Sequence, residues 1–273
     1  MSRLFRDRIL IGLAPTELSL VRLSGARRRV AAAQIIDCDP GFGTEAWHGA
    51  LAALAPAAAG LAAEPADVTV VVSNHFVRYA LVPWSDALDG TEEELAFARH
   101  TFAGIHGERV KSWEVRVSAE AAGEARLASA IDRGLVEALR GCFPASGRAR
   151  LVSAQPHLMS AFNLWRRRLR TAWLLIIEAQ RACIALRSGG RWAAVRTARG
   201  GFDDTAAWVE LLERERYRIG GDVPDEVAVF APHNARAAFS GTGRWKFSGL
   251  TLPPADGQGA ADPARFALAL SAR

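Results

Sequence analysis

The chain has 273 residues, half of them hydrophobic and 23% charged, which allows one large domain or two lobes with real cores and argues against intrinsic disorder over most of its length. It holds no apolar run of about 18 residues or more, and "MSRLFRDRILIGL" lacks a signal-peptide core, so the chain reads as soluble and cytoplasmic. The net charge is +5, but Lys111 and Lys246 are the only lysines among the 34 basic residues; a GC-rich bacterial genome explains much of that bias, and the charge is weak support for a nucleic-acid or acidic partner.

In chain order, "RILIGLA", "ELSLVRLS" and "VAAAQIID" have the short, β-branched character of strands. "TEAWHGALAALAPAAAGLAA" reads as a helix capped by Thr44 and broken by Pro56. "DVTVVVS" follows as a strand buried on both faces. "HFVRYALVPW" then alternates as a strand, and "TEEELAFARHTFAGIHG" reads as a helix with Thr91 and Glu94 spaced as a capping box. "SWEVRVSA" and "EARLASAI" form a hairpin, and "DRGLVEALRGCF" is a helix with Asp132 in its first turn. "RARLVSAQPHLMSAFNLW" is a strand and a helix; "AWLLIIEAQ", "RACIALRSG" and "RWAAVRTAR" are three more strands. "GGFDDTAAWVELLERERYRIGG" is a helix opened by Asp203 or Asp204 and stopped at Gly220-Gly221. "EVAVFAP", a short helix around "HNARAAF" and the closing "PARFALALSAR" complete the chain.

A repeat organises this order. Two sets of three meandering strands, beginning near residues 8 and 172, are each followed by a helix and a further strand. A duplicated β-β-β-α-β layout predicts an α/β fold of the actin-like, ribonuclease H-like type, with two lobes. On this reading residues 1–74 and 144–171 make the first lobe, 75–143 an inserted β-α-β-β-α subdomain, and 172–273 a second, truncated lobe.

"IGLAPTELSLVRL", "VTVVVSNHFVRYALVPW", "WEVRVS", "LASAIDRGLVEALRGCF", "LVSAQPHLMSAFNLW" and "LRSGGRWAAVRTARGG" fall in the order found in PilM, and over roughly residues 7–205 the chain resembles that family. PilM is the actin-like cytoplasmic protein of type IV pilus assembly; the cytoplasmic part of the type II secretion protein GspL and the division protein FtsA are more distant relatives. The resemblance implies an actin-like ATPase ancestry and a partner: the cytoplasmic tail of a bitopic inner-membrane assembly protein, PilN in the pilus system. It also implies a location in the cytoplasm, peripheral at the inner membrane through partners.

The family's nucleotide residues do not carry over. Its first turn needs an Asp, a Gly two residues later and a Lys or polar residue further on; here Gly12, Ala14 and Ser19 stand at those places. The carboxylate orders a metal-bound water and the glycine lets backbone N–H groups approach phosphate, so Gly12 and Ala14-Pro15 supply neither. The second turn, "EAQRA", also lacks the Asp-x-Gly pattern, and about 50 residues after Gly221 are few for the subdomain that cups adenosine. Gly200-Gly201 before a helix is the one phosphate-side feature kept, and a glycine pair also serves a plain turn.

Other candidates have plainer readings. "GFGTEA" imitates a dinucleotide turn, but no acidic residue ends the next strand. Cys38, Cys142 and Cys183 lie far apart and read as small buried residues, and the six histidines are scattered. Arg27–Arg29 and Arg166–Arg168 with Arg170 read as solvated faces. Arg78, Trp84 and Trp113 are the expected contacts for a partner peptide, because aromatics and arginine dominate such interfaces. The expectation is a non-catalytic scaffold with no cofactor, metal or catalytic residue. The alternatives are an active nucleotide-binding ATPase of this fold, and a nucleic-acid or lipid-binding module that works through the arginine clusters.

Overall fold

The computed structural model describes residues 6–26, 28–40, 46–88, 90–233, 242–253 and 263–273. Arg27, the cap at Thr44, most of "GFGTEA" and the helix expected around "HNARAAF" lie outside them. The chain divides into two compact units: residues 1–77, 131–164 and 252–273, and residues 78–130 and 165–251.

The first unit is built on β1 (Asp7–Leu13), β2 (Glu17–Ser24), β3 (Arg29–Asp37), β4 (Ala66–Val72) and β8 (Ala149–Pro156), ordered β3-β2-β1-β4-β8. β1 runs antiparallel to β2 and parallel to β4, which is parallel to β8. α1 (His48–Leu61) packs with α3 (Arg133–Cys142), and Trp47 covers Gly134. Asp132 caps α3 by accepting from the Gly134 N–H at 2.8 Å. Contrary to expectation, α1 passes through Pro56 unbroken. Ala52, whose carbonyl loses its donor there, lies on the exposed side of the helix, so water can take the bond.

The last helix, α6 (Ala267–Leu270), belongs to this unit. Phe266, Ala269 and Leu270 join Leu10, Val21, Leu23 and Val30 in one apolar cluster. Ser271 is buried and shares a hydrogen bond of 2.8 Å with Ser160 of α4 (His157–Trp165).

The second unit repeats the topology. β9 (Ala172–Glu178), β10 (Arg181–Ser188), β11 (Arg191–Arg199), β12 (Glu226–Phe230) and β13 (Lys246–Gly249) are ordered β11-β10-β9-β12-β13, the order of the first sheet. β9 and β10 are buried almost throughout, because apolar side chains project from both faces. α5 (Thr205–Ile219) covers one face with Trp208, Leu211 and Leu212, a helical stripe that meets Leu175, Ile177, Ile184 and Val229. Asp204 caps α5 by accepting from the Ala207 N–H at 2.8 Å, and Gly220 ends it at φ 69°. Glu215 sits on the same stripe, 3% exposed, and is paired with Arg218 at 2.7 Å.

Most of a three-stranded sheet also belongs to the second unit: β5 (Val77–Val82), β6 (Trp113–Val117) and β7 (Arg126–Asp132), ordered β5-β7-β6 and packed on α2 (Thr91–His106). The capping box at its start is not formed. Gly90 takes the cap, Thr91 is already helical, and the Glu94 side chain pairs with Arg126 instead. Residues 131–143, with α3, cluster with the first unit, and residues 252–273 do so as well. Among the described residues no helix is long and apolar enough to cross a membrane.

Burial sets the cysteine chemistry. Cys183 is 1% exposed and burial pushes its thiol far above the ordinary range, whereas Cys142 is half-buried and shifts upward for the same reason. In native protein a thiol reagent is expected to modify Cys142 first and Cys183 only on unfolding. Site-resolved mass spectrometry of a labelling time course checks this.

Candidate functional site

The β1–β2 turn is where an actin-like protein would meet phosphate. Gly12 pairs with Ser19 across β2 and with Val71 across β4, and its missing side chain points to the face covered by α6. A Cβ there would stand 2.3 Å from Ser19 Oγ, 2.8 Å from the Ala269 nitrogen and 2.9 Å from Leu268 Cβ. The glycine at the family's Asp position is thus a packing necessity: the chain's own helix occupies the space a carboxylate would need. The turn's backbone is also tied into the sheet. Ala14 N–H donates to Glu17 O at 3.1 Å, Pro15 has no N–H, and Thr16 O accepts from Cys38 N–H at 2.8 Å.

The β9–β10 turn is Ala179-Gln180 between the paired residues Glu178 and Arg181, with Gln180 in the left-handed region at φ 56°. No glycine opens it toward an anion. Gln180 O instead accepts the Gly200 N–H at 3.2 Å, so this turn pins the loop before α5. Gly200 sits at φ 141°, and Phe202 O accepts from Trp208 Nε1 at 2.8 Å. The glycine pair turns the chain into α5, and the core then holds it there.

Of the expected partner residues, Arg78 and Trp113 share a neighbourhood. Trp113 stands edge-on to Phe102 at 6.1 Å and to His106 at 5.0 Å. His106 is held below the usual imidazole range by burial first, then by the charges of Arg78 and Arg109. Arg78 is half-buried at the start of β5, and its proton affinity is lowered by burial and then by Arg199 and Arg109. Trp84 lines a different groove. It is 40% exposed and lies with Val82, Pro83, Leu88, Val117 and the Glu94–Arg126 pair. Arg166, Arg167, Arg168 and Arg170 are exposed around a buried Leu169.

Sequence reading missed Arg109, Arg181 and Arg199. The available signal was "RACIAL", a charged residue leading a wholly apolar strand; its neighbours become visible only once the strands are in register.

No protein-family model matches the chain, and no curated protein matches it by sequence. Solved structures do match. The chain is similar to the cytoplasmic domain of EpsL, an inner-membrane component of the type II secretion system of Vibrio cholerae, with TM-score 0.61 and 11% identity over 97% of this chain and 94% of that one. It is similar to a Bacteroides thetaiotaomicron protein of actin-like ATPase fold and unknown function, with TM-score 0.58 and 11% identity over 82% and 81% of the two chains. A PilM–PilN type IV pilus biogenesis complex matches with TM-score 0.54 and 18% identity over 82% and 80%. The fold is that of the actin-like ATPases, as the duplicated strand order implied.

Proposed function

We propose that the chain is a non-catalytic cytoplasmic scaffold of a type IV pilus or type II secretion-like platform, and that it binds the cytoplasmic segment of an inner-membrane partner. Similarity to the EpsL cytoplasmic domain and to PilM in complex with PilN supports the platform role. The observation that carries the non-catalytic part is Gly12, closed over by Ser19 and α6 where a metal-ordering carboxylate would be required. Without that carboxylate or a glycine-opened turn, the two β-hairpins serve as framework strands, and recognition falls to two surfaces, one around Arg78 and Trp113 and one around Trp84.

The test has two readouts. Calorimetry against synthetic N-terminal segments of the bitopic assembly proteins of the source bacterium is expected to find one that binds, weakened at least about tenfold by Trp84→Ala. Failure of every such segment overturns the platform role. Thermal melts with ATP are expected to show no magnesium-dependent gain. A true Mg-ATP site at a hundredfold excess over Kd would stabilise by about 2.7 kcal/mol, and that result would restore the ATPase reading.

A further inference from the structure

Arg181 opens β10 opposite Arg199 of β11, so the two side chains leave the sheet on one face, the face away from α5. Like charges set directly opposite in an antiparallel ladder repel. The cost is raised further because Arg181 is only 6% exposed and its Nε has no hydrogen-bond partner among the described residues. Burial, then Arg78 and Arg199, loosen the Arg181 proton; Glu178, paired across β9, opposes them. Arg78 in turn feels Arg199 and Arg109. Arg78, Arg181 and Arg199 thus feel one another's charge within the second unit, Arg109 adds to it at Arg78, and Glu178 is a carboxylate neighbour of Arg181.

We propose that Arg78, Arg181 and Arg199, with Arg109 beside them, form a binding site for a compact, multiply charged oxyanion that is held without a metal ion. Guanidinium forks match the oxygens of phosphate and carboxylate groups, and an anion there satisfies the Arg181 Nε and relieves the repulsion between facing arginines. A divalent cation would be repelled by the same charges. The site is therefore distinct in chemistry from the magnesium–nucleotide turn that Gly12 lacks. It shares Arg78 with the proposed partner surface but centres on Arg181 and Arg199, so an anion response with no partner segment bound would uphold it, and a partner segment without an anion response would not.

The experiment is a set of melts and titrations of the full chain in EDTA at constant ionic strength, with pyrophosphate, inorganic phosphate and an Asp/Glu tetrapeptide as separate probes. A saturable rise in Tm with at least one probe, unchanged or weakened by added magnesium, is expected. Phosphate-type probes acting alone identify a free phosphate group as the source; the peptide acting alone identifies acidic side chains. Arg199→Gln, at an exposed position, is expected to weaken binding at least about tenfold while raising the Tm of the anion-free protein. Opposite signs in those two readouts are what a merely structural arginine would not give. Arg181→Gln, if folded, should abolish the response. No saturable rise with any probe, a rise that requires magnesium, or an undiminished rise in Arg199→Gln overturns the proposal.

Discussion

Gly12→Asp, the substitution that would restore the family's carboxylate, is expected to destabilise the first unit severely and to confer no nucleotide binding. The first added atom already meets Ser19 Oγ at 2.3 Å and the Ala269 backbone at 2.8 Å, and backbone cannot yield as a flexible side chain can. Gly12→Ala should therefore cost about 1–3 kcal/mol by overpacking alone. The aspartate also buries a charge and should cost several kcal/mol more, of the order that unfolds a marginal domain. A urea titration of both variants measures this. Ser19→Ala removes one of the three clashes, so a double-mutant cycle with Gly12→Ala should show a favourable coupling of about 0.5 kcal/mol or more. A Gly12→Asp protein that melts with the wild type would mean that α6 does not press on β1.

Trp208→Ala should destabilise the second unit by about 3–5 kcal/mol. Trp208 is fully buried in the stripe that α5 lays on the sheet, stands edge-on to Phe247 at 5.8 Å, and donates its indole N–H to Phe202 O. Trp208→Phe keeps most of the ring but leaves that carbonyl without its donor, and should cost about 1–3 kcal/mol. The difference separates packing from the hydrogen bond. The phenylalanine variant should also raise amide exchange at residues 200–202 while the strands remain protected, which hydrogen-exchange mass spectrometry would resolve.

The repeated topology was legible because its signal is local: "AWLLIIEAQ" and "RACIALRSG" are apolar runs of strand length with a turn between them, and their counterparts near residue 8 are alike. Helix ends were read less well. Thr91 and Glu94 have capping-box spacing, but Arg126 of a distant strand competes for the glutamate, and spacing cannot reveal that. β13 went unread because four residues with an exposed lysine at their head carry almost no periodic signal. For the site, the missing carboxylate at Gly12 was visible in the sequence, whereas the reason for the glycine was not. It depends on contact with Leu268 and Ala269, which no local pattern connects to β1. The arginine cluster was hidden in the same way, since it arises from strand register.

The return of α6 to the first strand bears on how the polypeptide is made. Arg8 donates to the Ala272 carbonyl across 264 positions, and the layer over Leu10 and Gly12 is supplied by residues 266–270. At about 5–20 residues per second, a ribosome needs some tens of seconds to deliver that segment after β1 has emerged. Throughout that interval the apolar face of the nascent hairpin stands open, a natural landing place for a chaperone.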